Sequence, residues 1–190
     1  MSGYVDLNPE VAIARVARAV TGDEGNLAQV LERVPAATYV TDRRGTVVRF
    51  NDACIALAGR QPRANRDRWC VTWKLYTEQG VFLPHHRCPM AVAIRGKRKL
   101  RGIRAIAERP DGTRIRFTPF PTPLLGNDGE LLGAVNLLVD LADPRYLAFL
   151  RSQAERCRRL AAEIDGRSPA TLLLMADEYE RQARALPRPN

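Results

Sequence analysis

Three short turns, each with an aspartate close to a glycine, divide residues 35–141 into runs rich in β-branched and aromatic residues. The turns occupy residues 42–45, 109–112 and 126–129. Glycine in such a turn accepts a positive φ, and Pro110 presets the φ angle of the second turn. Runs joined in this way are typical of strands paired as hairpins. The turns therefore restrict this stretch to a sheet of short strands.

The last of these runs, Leu131 to Val139, is apolar at both its odd and its even positions. Because successive side chains of a strand point to opposite faces, both faces of this strand must be covered. The run is therefore predicted to be a central strand. One cover is the core of the domain, and the other is a flanking helix or a dimer mate.

The order of the pieces carries a resemblance to a known family. Strand, turn and strand are followed by a loop-rich middle that ends in LPHHRCPMAVAIRG, and then by three more strands. In this order they resemble a PAS domain, and in particular the PAS sensor modules of bacterial histidine kinases. The resemblance implies an α+β fold, a five-stranded antiparallel sheet with helices on one face and a small cavity between them. PAS domains usually sense or pair rather than catalyse.

Both flanks have helical patterns. Asn8-Pro9 and Asp143-Pro144 each place a capping residue before a proline, which is tolerated at the first helical position. Ser168-Pro169 begins another helix after a turn at Asp165-Gly166. The predicted organisation is an N-terminal helical extension (1–34), a PAS sensory domain (35–141) and a C-terminal helical hairpin with a short tail (142–190).

The apolar stripes of these helices exceed what one small sheet can cover, and they predict a homodimer. The resemblance implies a bacterial-type sensor or regulatory protein that binds a small molecule or cofactor. The signal would then pass to a protein partner through the final strand and the C-terminal hairpin. Nothing in the sequence names the ligand.

The middle segment holds the least common side chains of the chain. An apolar pocket with a few polar groups is the usual design of a ligand site. The candidate cavity wall therefore combines this segment with one residue of the last strand: Trp69, Trp73, Tyr76, His85, His86, Cys88, Met90 and Asn136. The sequence has no phosphate loop, nucleophile elbow or carboxylate pair. We therefore predict no catalytic residue and no enzyme activity.

Cofactor predictions rest on the same segment. Its histidines and cysteines match no standard zinc spacing, so no protein-ligated metal is predicted. Haem is an alternative, with His85, His86 and Cys88 as weak ligand candidates, because some PAS proteins hold haem through a histidine near this position. Flavin is disfavoured, because the Asn-Cys-Arg signature of light-sensing relatives is absent and Cys54 lies in a different segment.

The charge distribution and the cysteines limit which partners and which cellular compartment are expected. Residues 36–141 hold 18 basic and 9 acidic side chains, which accounts for the whole net charge of +9. Arg-rich clusters of this kind attract nucleic acid or acidic proteins, so a nucleic-acid-binding regulator is the alternative function, disfavoured because no aromatic residues interleave with the basic ones. Four dispersed cysteines and the lack of a long apolar run predict a cytoplasmic protein with free thiols and no membrane segment.

Overall fold

The computed structural model describes residues 7–22, 25–163 and 168–186. The predicted turn at Asp165-Gly166 and the predicted tail at residues 187–190 lie outside these ranges. The chain divides into two compact units. One comprises Pro9–Asp140, and the other the described residues of Met1–Asn8 and Leu141–Asn190.

The larger unit is built on one antiparallel sheet. Its strands are β1 Ala37–Asp42, β2 Val47–Phe50, β3 Lys74–Thr77, β4 Ala105–Glu108, β5 Arg114–Pro119, β6 Thr122–Leu125 and β7 Leu131–Asp140. The spatial order is β2-β1-β7-β5-β4-β3, and β6 pairs with β7. The predicted α+β class, an antiparallel sheet with helices, is confirmed. The hairpin predicted at residues 42–45 joins β1 to β2, and Gly45 has a φ of 81° there.

The sheet has seven strands rather than the predicted five. The extra strands, β3 and β6, are four residues each. β3 lies in the middle segment, where the sequence was expected to form helix and loop, and a turn that ends at Gly80 follows it. β6 contains Pro123, which argues against a strand in a sequence pattern. Proline is accommodated there because β6 is paired on one side only, to β7.

Two helices, α3 Asp52–Ala58 and α4 Pro89–Gly96, pack over one face of the sheet. Between them and the strands lies a core of buried side chains that includes Tyr39, Leu75 and Phe117. Asn51 precedes α3, but its side chain makes no capping hydrogen bond to that helix. Its side-chain amide instead bonds backbone groups: Nδ2 donates to the carbonyls of Leu31, Val34 and Ala36, and Oδ1 accepts the Thr38 N–H.

The N-terminal helices α1 Pro9–Thr21 and α2 Leu27–Glu32 belong to the same unit. α1 buries Ile13 and Val16 and contacts β7. Val135, Leu137 and Val139 of β7 are fully buried, yet they are not part of the core that faces α3 and α4. β7 is therefore covered on both faces, as its sequence predicts, and α1 is the flanking helix.

The smaller unit contains α5 Pro144–Glu163 and α6 Ser168–Arg184, which pack against each other. Asp143 caps α5, since its carboxylate accepts the Arg145 N–H at 2.9 Å. Ala154, Cys157 and Ala176 form the contact between the helices. The two predicted C-terminal helices are therefore present.

Across the described ranges, we find no helix with the length and apolar character that crossing a bilayer requires.

Candidate functional site

A chain of hydrogen bonds crosses the core of the larger unit. The Phe120 N–H donates to Asn136 Oδ1 at 3.1 Å, and Asn136 Nδ2 donates to the Tyr39 hydroxyl at 2.9 Å. The hydroxyl in turn donates to the Trp69 carbonyl oxygen at 2.8 Å, and Cys88 Sγ lies 3.6 Å from the same oxygen. We call these five residues the Tyr39 network. It links the β5–β6 connection, β7, β1, the middle segment and the start of α4.

Strand register creates the centre of this network. Tyr39 on β1 lies directly opposite Asn136 on β7, and both side chains are buried. A polar group in such a core must find a partner, because an unpaired one costs about 1–3 kcal/mol. Burial raises the pKa of the Tyr39 hydroxyl well above its usual range. The hydroxyl therefore stays protonated and donates its hydrogen bond to Trp69.

The backbone of Trp69 is held in an uncommon conformation. Its φ is 69°, in the left-handed region that bulky residues rarely adopt. The Trp69 N–H donates to the Gly45 carbonyl at 2.7 Å, and the indole lies so close to Gly45 that a Cβ there would overlap the ring. Strain of this kind persists only where surrounding contacts impose it, and it clusters at functional sites. Gly45 and the two donors to the Trp69 carbonyl are those contacts.

Three buried thiols surround Tyr39. Cys70 Sγ lies 3.2 Å from Thr72 Oγ1, and Cys54 Sγ lies 3.3 Å from the Thr38 carbonyl oxygen. Burial raises the pKa of Cys88 to about 12, and it also raises the pKa of Cys54 and Cys70. At neutral pH these thiols are protonated hydrogen-bonding groups, whereas a thiolate is the form that ligates metals and reacts with oxidants.

We expect the protein to lose stability at alkaline pH through these thiols. The Cys88 pKa is about 12 in the folded chain against 9.0 for an unperturbed thiol, so the unfolded state ionises first as pH rises. Cys88 alone should lower the free energy of unfolding by about 1.4 kcal/mol at pH 10 relative to pH 7. Urea unfolding of wild type and Cys88→Ala at both pH values measures this difference. An identical pH dependence in the two proteins would contradict the assignment.

The two histidines lie apart from the Tyr39 network. His85, in a short 3-10 helix His85–Arg87, is half-buried, and desolvation followed by the nearby Arg60 lowers its pKa. His86 is exposed, and its backbone carbonyl accepts from Arg95. Within the part of the chain that the structure describes, no group of three or more His, Cys, Asp or Glu is placed to hold a metal ion.

The predicted cavity wall divides into separate places. Cys88 and Met90 are fully buried in the core with Asn136, and Trp69 packs against that core. Trp73 is 52% exposed, and Tyr76 on β3 meets Phe82 edge-to-face at 5.8 Å between ring centroids. Four of the predicted residues thus surround Tyr39, while Trp73 and Tyr76 lie at the sheet edge. The sequence analysis missed Tyr39, because only the β1–β7 register shows that it meets Asn136.

Comparison of the sequence with protein-family models and with curated proteins gives no match. Comparison of the fold with solved structures gives PAS and LOV domains. The Rhodobacter sphaeroides LOV protein is 13% identical, with 84% of this chain and 90% of that chain covered and a TM-score of 0.45. The PAS domain of the fruit-fly ELK potassium channel is 14% identical, with 60% and 93% covered and a TM-score of 0.46. The open antiparallel sheet with helices over one face is like that of these PAS and LOV domains.

These neighbours correct one prediction. Flavin was disfavoured from the sequence, and this prediction was wrong, because LOV proteins are among the solved structures with a similar fold. One of them, a light-oxygen-voltage domain described with a flavin analogue, is 12% identical over 71% of this chain and 98% of that chain, with a TM-score of 0.46. The missing Asn-Cys-Arg signature is a local sequence feature, whereas the shared fold is set by the sheet and its helices. Absence of the signature therefore does not exclude the cofactor.

Proposed function

We propose that this chain is a PAS-type sensory and regulatory protein in which the Tyr39 network reports the state of the core to β7. The observation that supports this proposal is the continuous path of hydrogen bonds from Cys88 and Trp69 through Tyr39 to Asn136. These groups come from separate chain segments and share one buried hydroxyl. A change at any of them alters the pairing of the next. The proposal assigns no catalytic step to the chain.

The proposed ligand is a small molecule that contacts Trp69, Cys88, Met90 and Asn136. Met90 supports this placement, because a flexible thioether side chain can adjust to a ligand. The ligand would compete for the hydrogen bonds of Asn136 and shift β7 against β1. It can do so only to the extent that it binds the shifted arrangement more tightly.

The proposed output is the C-terminal hairpin. β7 ends at Asp140, and α5 begins at Pro144 after three intervening residues. A displacement of β7 along its axis is therefore delivered at the first turn of α5. Asp143 holds that turn through its hydrogen bond to the Arg145 N–H.

Native mass spectrometry and the absorption spectrum of the full chain, purified without added cofactor, test whether a small molecule is bound. Hydrogen exchange of wild type and Tyr39→Phe tests the transmission, since Phe keeps the ring and removes only the hydroxyl. We expect faster exchange in β7 and in the first turn of α5 in the variant. Exchange changes limited to β1 and the residues around Trp69 would contradict the proposed path.

We also expect the protein to be a homodimer formed through α6. Three successive residues of α6 are exposed, namely Leu173, Leu174 and Met175. Among the described side chains of α6, Ala176 alone is buried. Successive helix residues point about 100° apart, so these apolar side chains spread around the part of α6 that faces away from Ala176. Exposed apolar surface of this kind marks an interaction site. Sedimentation should give twice the chain mass of 21.2 kDa at tens of micromolar protein.

The matched variants are Leu174→Glu and Val81→Glu, whose wild-type residues are 70% and 63% exposed. Removing one leucine from an interface costs about 2 kcal/mol. A homodimer carries the substitution in both subunits, so Leu174→Glu should cost about 4 kcal/mol and weaken the dimer about 1,000-fold. Val81→Glu makes the same change of charge in the larger unit and should leave the mass unchanged. A monomeric wild-type protein would contradict the expectation directly.

A further inference from the structure

Strand register places four side chains in one line across three strands of the sheet and the segment that follows β3. Arg116 of β5 pairs with Ile106 of β4, and Ile106 pairs in turn with Tyr76 of β3. On its other side, Tyr76 forms an antiparallel β-bridge with Phe82. We call these four residues the Phe82 row. The row spans three strand spacings, which is about 14 Å.

The Phe82 row lies on the outer face of the sheet. Leu75, Ala107 and Phe117, which are strand neighbours of its members, belong to the core beneath α3 and α4. Because successive side chains of a strand point to opposite faces, the row points away from that core. Phe82 is 56% exposed at one end of the row. Arg116 is exposed at the other end, and its guanidinium makes no ion pair with any residue that the structure describes.

This face offers two flat surfaces on which a base can stack. The first is the exposed ring of Phe82. The second is the guanidinium of Arg114, which lies on the same face because it is two residues from Arg116 on β5. It is half-exposed and stands 4.5 Å from the centroid of the Tyr76 ring. Unpaired bases stack on both kinds of surface, aromatic rings and guanidinium planes.

The charges on the same face favour a polyanion. Glu108 pairs with Lys74 at 3.1 Å and with Arg114 at 2.8 Å, which leaves one positive charge in that group. Arg104 and Glu78, beside the row, form a neutral pair at 3.4 Å. Together with the guanidinium at the end of the row, four basic and two acidic groups give this face a net charge of +2.

We infer that the Phe82 row binds single-stranded nucleic acid. One base would stack on Phe82 and another on Arg114, and a phosphate would pair with Arg116. Flat stacking surfaces combined with positive charge are the usual design of a single-strand binder. A duplex keeps its bases stacked internally, and an acidic peptide brings carboxylates without a flat group for each stacking surface.

The sequence alone argued against this partner, because no aromatic residues interleave with the basic ones along the chain. The pairing of β3, β4 and β5 interleaves them across strands instead. The inference goes beyond the proposed function, since no residue of the row belongs to the Tyr39 network.

The test is fluorescence anisotropy of the full chain with a labelled single-stranded RNA of about ten nucleotides, a length within the usual site size of such surfaces. Phe82→Ala should weaken binding about 10-fold or more, because it removes one stacked base, and should leave the salt dependence unchanged. The matched control is Trp73→Ala, since Trp73 is 52% exposed but lies outside the row. It should leave the affinity unchanged.

Arg116→Gln tests the phosphate contact. It should weaken binding and reduce the slope of log affinity against log salt concentration by about 0.7, the contribution of one phosphate in a single strand. The control is Arg98→Gln, because Arg98 is also exposed and makes no ion pair within the described ranges. This variant should leave the salt slope unchanged.

Equal losses for Phe82→Ala and Trp73→Ala, or for Arg116→Gln and Arg98→Gln, would overturn the inference, because they would show general attraction. So would equal affinity for an abasic strand of the same length, which keeps the phosphates and lacks the bases, or a preference for a duplex. A lower oligomeric mass of Phe82→Ala without any RNA binding would assign the row to contact between copies of this chain. Phe82→Leu provides the same comparison if Phe82→Ala does not fold.

Discussion

Asn136→Leu should lower the free energy of unfolding by about 3 kcal/mol, although leucine is similar in size and more apolar. The substitution leaves the Phe120 N–H without its acceptor and removes the donor to the Tyr39 hydroxyl. A buried polar group that loses its partner bears its full desolvation cost. Urea unfolding of the variant measures the loss.

A double-mutant cycle separates the network from simple packing. Tyr39→Phe and Asn136→Leu should couple by about 1–2 kcal/mol, because the two side chains share a hydrogen bond. The control is Thr118→Val, a buried residue of β5 whose hydroxyl donates to the Ile103 carbonyl outside the network. It should be additive with Tyr39→Phe. Additive losses for Tyr39 and Asn136 would show that the hydrogen bond contributes nothing to stability.

Gly133→Ala should be more damaging, at about 4 kcal/mol. Gly133 lies between two strands, opposite Asp42 on β1 and Leu124 on β6. A Cβ there would overlap the Thr41 carbonyl oxygen, which is backbone and cannot rotate away. The added methyl group would therefore force β1 away from β7 and lengthen the contact between Tyr39 and Asn136.

Gly96→Ala is the matched control for this substitution. Gly96 ends α4, and its nearest neighbour is the flexible side chain of Arg98 at 3.4 Å. Alanine should be neutral or stabilise the protein by up to about 1 kcal/mol at this position. Thermal unfolding of both variants is the measurement. Comparable melting temperatures for Gly133→Ala and wild type would contradict the close approach of the Thr41 carbonyl to Gly133.

Local patterns were enough to predict five of the seven strands and the turns at residues 42–45, 109–112 and 126–129. The apolar residues at both the odd and the even positions of β7 showed that both its faces are covered, because successive side chains of a strand point to opposite faces. Asp143-Pro144 predicted the start of α5 for a similar local reason.

The tertiary structure decided which residues come together in the candidate site. Tyr39 and Asn136 are 97 residues apart, and only the register of β1 on β7 brings their side chains together. Trp73 and Asn136 looked like parts of one wall in the sequence, but chain direction after Thr72 carries Trp73 to the exposed sheet edge. The approach of Arg68 to Arg44 and of Lys97 to Gly129 likewise depends on loops folding back to the sheet. Sequence patterns report which way each residue faces within its own element, whereas the contacts between elements follow from packing that no local pattern encodes.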